Sequence, residues 1–273
     1  MQSATILILT SSNYSQSLTK LKMKKEKVGY VILFSITIIA IAGIFILSPI
    51  EQNKEYHNFC DSNTIFNIPN FWNVVSNIPF LIIGVLGLHT TATLSETKIQ
   101  YITFFLGISL VSLGSGYYHL NPNNNTLVWD RLPMTIAFMS LFSIIISEFI
   151  DLKIGLKTLF PALLIGLISV IYWIIFNDLK IYLLVQFYPI LAILIILLFY
   201  KSKYNLTIGY WMLLIAYVIA KFFEHFDYQT QSTLKILSGH TLKHLVISIG
   251  IISLLYTYIK RKKVNTITNN VYN

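Results

Sequence analysis

Leu113 to Pro133 reads LGSGYYHLNPNNNTLVWDRLP. An apolar segment ends at His119, a turn-rich break of Asn-Pro and consecutive asparagines follows, and a second apolar segment opens beside Asp130. A serine, a histidine and an aspartate therefore stand where two hydrophobic segments meet. Ionisable groups in such segments are costly and mark functional sites. Ser115 and His119 are four apart and share a helix face, and Asp130, after the short turn, folds back toward them. The partner stretch, Ser238 to His244, reads SGHTLKH and puts His240 and His244 on one helical face.

The rest of the chain explains why these segments are membrane spans. Of its 273 residues 55% are hydrophobic and only 11% charged, with a mean hydropathy of +0.67, too little polar surface for a soluble domain. Eight apolar runs are each roughly 20 residues long, enough to cross a bilayer as helices. Alternating barrel strands are absent, so only helices satisfy the backbone in lipid. The expected fold is all-α, a polytopic transmembrane helix bundle. Its spans are read at 28–50, 71–94, 101–119, 131–149, 156–176, 181–200, 208–226 and 238–258, with Pro133 in the first turn of the fourth. Residues 1–27 read as a disordered, basic tail and 260–273 as a second basic tail. No small-residue cleavage pattern follows the first span, which predicts that it is retained.

The net charge of +9 does not point to nucleic acid, because the basic residues sit in short loops and tails. Lys20 to Lys27, Lys98, Lys153, Lys157, Lys201, Lys203 and Lys260 to Lys263 all fall on one face of an eight-span topology. The positive-inside rule then makes both termini cytoplasmic and turns Ser115, His119, Asp130, His240 and His244 toward the opposite side. Cys60 is the only cysteine, so no internal disulfide forms.

His119, His240 and His244 are three candidate imidazole ligands at one membrane depth. That is the number a catalytic zinc uses when it keeps one position open for water. Two histidines four apart also occur where they merely hydrogen-bond at a helix end. A haem reading is disfavoured, because two of the three stack on one helix. Glu224, His225 and Asp227 in KFFEHFD lie at the same level, either as support for the ligands or as a solvated helix end. His57 reads as an exposed loop residue and His89 as lying near the inner end of the second span, neither with a role. Gly84, Gly87, Gly107 and Gly114 permit close helix approach.

Four stretches, NFWNVVSN (70–77), GSGYYH (114–119), WDRLPM (129–134) and GHTLKH (239–244), resemble the successive signatures of the alkaline ceramidase family. That family belongs to a superfamily of seven-helix membrane hydrolases that includes adiponectin receptors. The resemblance runs from about Asn58 to Tyr258. It implies a seven-helix ceramidase-like domain over 51–259, preceded by an extra transmembrane helix over 28–50. It also implies that His119, His240 and His244 hold zinc, that Asp130 orients or deprotonates the bound water, and that Ser115 hydrogen-bonds the water or the developing oxyanion. A family calcium site corresponds here to Asn58, the Phe59 carbonyl, Asp61, Asn63 and Asn70. Asp61 is its only carboxylate, and calcium affinity falls with ligand charge, so the expectation is a weak site or none, with Asn70 capping a helix.

Residues and resemblance together predict a zinc-dependent amidase that splits the N-acyl bond of ceramide or a ceramide-like lipid into a fatty acid and a long-chain amine. The lipid itself follows from the resemblance alone. The expected partners are the bilayer and a membrane lipid substrate, with no nucleic acid and no obligate protein partner. Two other readings stay open: a non-catalytic seven-helix lipid receptor with a structural metal, and a lipid ester hydrolase.

Overall fold

A computed structural model describes residues 2–91 and 97–264, with side chains described from residue 20 onward. Among the described residues eight helices are long and apolar enough to cross a membrane, as expected of an all-α polytopic bundle. In chain order the helices are α1 (Gln2–Ile46), α2 (Phe71–Val75), α3 (Ile78–Thr91), α4 (Lys98–Leu120) and α5 (Asn124–Ile145). There follow α6 (Leu152–Phe176), α7 (Lys180–Phe199), α8 (Ile208–His225), the short α9 (Asp227–Leu234) and α10 (Gly239–Lys260).

Four boundaries differ from the sequence reading. Helix α1 begins at Gln2, where a disordered tail over 1–27 was expected; the segment has no glycine or proline to break it, and Lys22 pairs with Glu26 one turn on at 3.7 Å. The tail beyond Val264 lies outside the described residues. The second span is broken at Ser76–Asn77 into α2 and α3. Helix α5 starts at Asn124 rather than Arg131, because Asn123 and Thr126 form a reciprocal capping box. Asp130 and Pro133 therefore lie inside the helix, not at its entrance. The same span ends in a π-helical turn, Ile146–Ile150.

Proline at 133 explains how α4 and α5 meet. It has no N–H for the Trp129 carbonyl one turn back. A side chain on Gly114 would overlap that carbonyl, so the glycine leaves the notch it occupies. The same holds below, where a Cβ on Gly107 would stand 2.9 Å from the Ala137 nitrogen. Small residues at the crossing let the backbones touch, and Ser115 and Asp130 are the next residues along each helix.

At one end of the bundle a polar cluster closes the fold. Arg261 holds Glu148 through both guanidinium Nη atoms at 2.7 Å, with the two side chains 3% and 1% exposed. Tyr210 donates to the same carboxylate at 2.7 Å, Tyr101 donates to it as well, and the Arg261 guanidinium stacks over Tyr204 and Tyr258. Arg261 lies just outside the last span; although burial opposes its charge, the surrounding tyrosines and Glu148 hold it firmly protonated.

Candidate metal centre and lipid chamber

The opposite end of the bundle gathers His119 from the last turn of α4 with His240 and His244 from the first turns of α10. They are 1%, 4% and 5% exposed. Their ring centroids stand 4.8 to 5.2 Å apart, and one nitrogen from each lies within 4.8 Å of the others. The Nε2 atoms of His119 and His240 face each other at 3.2 Å.

Two observations test whether the donors fit zinc. Ligand nitrogens at the zinc distance and tetrahedral angle stand about 3.3–3.4 Å apart, close to the His119–His240 separation. His119 Nε2 is thus the ligand atom, and its buried Nδ1 has no hydrogen-bond partner among the described residues. His244, by contrast, has Nδ1 bonded to the Ser76 hydroxyl at 2.8 Å, which leaves Nε2 for a metal. The donors fit.

The NFWNVVSN stretch fixes these histidines, a role that no residue-level reading above gave it. Asn70 donates to the His119 carbonyl at 2.8 Å. Asn73, fully buried, accepts through Oδ1 from the hydroxyls of Thr241 at 2.8 Å and Ser238 at 3.3 Å, which flank His240. Ser76 reaches His244. The polar residues at 70, 73 and 76 recur every three positions on one face, and that spacing was the available signal.

Asp61 is buried as a brace for this arrangement. One of its oxygens accepts the Asn73 N–H at 2.8 Å and the other accepts two N–H groups of Asn63, at 3.1 and 3.3 Å. Of the proposed calcium set, Asn58 ends the short Lys54–His57 turn, and Asn70 sits at the start of α2 with a left-handed backbone. Asn70 does not cap α2 through its side chain, contrary to expectation: its backbone is left-handed rather than extended, and its side chain turns to the His119 carbonyl. The Phe59 ring covers the cluster, 4.7 Å from His119 and 4.3 Å from His240. His57 is not simply an exposed loop residue: its ring nitrogens bond the Tyr118 hydroxyl at 2.8 Å and the Asn124 side chain at 2.9 Å.

In KFFEHFD, Asp227 accepts the N–H of His240, Glu224 pairs with Lys221 and Lys243, and His225 is exposed. Gly239 makes the first contact possible, since a Cβ there would stand 2.8 Å from the Asp227 Cα.

Below the histidines opens a chamber of about 450 Å³, lined by Ser115, Asp130, Lys243 and His244 at its polar end and by Phe104, Leu141 and Ile251 deeper in. Asp130 hydrogen-bonds the Ser115 hydroxyl, and the Lys243 ammonium at the same end pairs with Glu224 at 3.1 Å. Beside Asp130 the Arg131 guanidinium lies over the Trp173 and Tyr182 rings and donates to Gln52. The Ceramidase family model matches residues 51–270, four-fifths of the chain.

The chain belongs to the Ceramidase family. No curated protein matches it. The family match and the buried histidine triad support a ceramide-hydrolysing membrane enzyme, and the triad is compatible with a metal ion. The match begins after α1 and covers the seven spans from α2 to α10.

Proposed function

We propose that this member of the Ceramidase family is a zinc-dependent amidohydrolase that cleaves the N-acyl bond of ceramide or a ceramide-like lipid. The observation that carries the reading is the buried imidazole triad beside a chamber whose polar end holds Asp130 and Ser115 and whose depth is apolar. His119, His240 and His244 are assigned as the metal ligands. Zinc held there supplies polarisation of the amide carbonyl and a water nucleophile at neutral pH.

The chain's own residues do the rest. The apolar depth of the chamber takes the lipid tails, which leaves the amide beside Asp130. A carboxylate oxygen of Asp130 takes the proton of the attacking water and returns it to the amine nitrogen as the C–N bond breaks, giving fatty acid and long-chain amine. Ser115 orients that carboxylate, and Phe59 keeps bulk water from the imidazoles. Ser76 and Asp227 hold the His240–His244 turn in register. The lysine asymmetry supports an orientation with both termini in the cytoplasm and the triad near the opposite membrane face.

Purified protein incubated with N-acyl and O-acyl lipids, beside His240→Ala and Asp130→Ala, tests the proposal. Wild type is expected to release fatty acid from ceramide. His240→Ala loses both zinc and turnover, while Asp130→Ala keeps zinc and loses about 10²–10⁴-fold in rate. Zinc retained with no lipid cleaved would instead mean a receptor, and cleavage of O-acyl lipids alone would mean an esterase.

A further inference from the structure

Helix α1 is fastened to the bundle at both ends and stands away from it between. At the lower end the Tyr200 hydroxyl donates to the Glu26 carbonyl at 3.2 Å, and Gly29 lies against Phe199. At the upper end Lys180 donates to the Ile44 and Leu47 carbonyls at 3.3 and 2.9 Å, and the backbones of Ile50 and Leu179 are joined at 2.8 Å. Among the described residues the one polar tie between is the Thr37–Tyr188 hydroxyl pair at 2.7 Å.

Alongside this tie, Ile36, Ala40 and Gly43 recur on one face of α1 and, with Leu47 just past its end, line a groove of about 970 Å³ against α7 and α8. Its depth comes from small residues: a Cβ on Gly43 would meet nothing nearer than Leu47 Cδ1 at 3.9 Å.

The groove adjoins the chamber and shares part of its lining. Helix α8 packs on α10, whereas α7 packs on α1, α5 and α6, so α7 and α8 are splayed although they are consecutive in the chain. Leu183, Phe187 and Leu214 line both spaces. Their torsions are rotamer changes that leave the backbone in place.

We propose that α1 makes this groove an acyl-chain site: a tail of the N-acyl lipid passes between α7 and α8 and lies under α1, which sets the chain length the enzyme accepts. The proposal rests on the amidase reading above. An acyl tail is the fitting occupant because the lining is apolar, its one lysine is already engaged, and the groove lies within the membrane-spanning part of α1.

The test compares wild type with Gly43→Phe, which fills the groove, and with Ile41→Phe, which puts the same ring at a position half-exposed and outside the groove. Each protein is given palmitoyl- and hexanoyl-ceramide, and separately a palmitoyl-ceramide carrying a diazirine near the end of its acyl chain, with labelled positions mapped by mass spectrometry. Gly43→Phe is expected to lower the palmitoyl-to-hexanoyl rate ratio by about ten- to a hundredfold, the cost of displacing the reacting amide by up to an ångström. It is also expected to remove the label from residues 36–47, whereas Ile41→Phe changes neither. An unchanged ratio and an unchanged label in Gly43→Phe would overturn the proposal. If no form cleaves ceramide, the amidase reading fails and the label alone decides the groove: retained in Gly43→Phe it overturns the site, lost there and kept in Ile41→Phe it upholds it.

Discussion

Asp227 accepts the backbone N–H of His240 at 2.7 Å through one carboxylate oxygen and that of Cys60 at 3.1 Å through the other. One side chain thus ties the first turn of α10, with its two histidines, to the loop that carries Phe59 over them. Asp227→Ala leaves a first-turn donor of α10 unpaired and frees the loop. Zinc affinity is expected to fall about 10–100-fold, as for other lost outer-sphere supports, measured by competition with a chelator. Asp227→Asn, which keeps one acceptor oxygen, falls between.

Gly114 and Trp129 set the distance between Ser115 and Asp130. In Gly114→Ala the new methyl overlaps the Trp129 carbonyl, and α4 and α5 must part. Overpacking of this kind costs about 1–3 kcal/mol, read as a lower thermal midpoint in detergent. The larger expected effect is on turnover, because Asp130 loses its register with the amide. Gly116, whose Cβ position meets nothing within 4 Å, is the matched control, and Gly116→Ala is expected to retain activity.

These two contacts show how much of the molecule the sequence carries in legible form. Span number, the three histidines and the Ser115–His119 face follow from composition and a period of 3.6 residues, which act locally. Helix α5 starts before the expected Arg131 because the apolar run begins later than the helix, and Asn123, within the Asn121–Asn125 break, is also its cap with Thr126. The roles of Asn70, Asn73 and Ser76 were invisible for a different reason: each bonds a residue more than 40 positions away. The Glu148–Arg261 pair, 113 positions apart, was hidden in the same way.

That pair sits among buried tyrosines, so removing one partner leaves a desolvated charge. Arg261→Met is expected to cost about 3–5 kcal/mol, and Arg261→Met with Glu148→Leu to recover much of it. Unfolding of the single and double variants in the same detergent checks the sign. Zinc content is expected to be unchanged in the folded fraction, because the pair lies at the other end of the bundle.

Burial, with the nearby Asp227 charge second, pushes the Cys60 thiol up to about 11. The folded chain therefore favours the protonated thiol; this contribution to stability is complete below pH 9 and is lost as pH rises through 11. Below pH 9 the thiolate fraction is about a hundredfold smaller than for a free cysteine, since each unit is a factor of ten. Alkylation is expected to be correspondingly slow at neutral pH, to accelerate up to about pH 11 and to quicken in Asp227→Ala. A rate at pH 8 equal to that of a free thiol would contradict this environment.

The account rests on three imidazoles sharing one metal. X-ray absorption at the zinc edge of the purified, zinc-loaded protein reads that directly. The predicted spectrum has one zinc per chain with three imidazole nitrogens at about 2.0–2.1 Å, and His119→Ala is predicted to lose the zinc. An oxygen-dominated shell, or a zinc shell unchanged by His119→Ala, would contradict it.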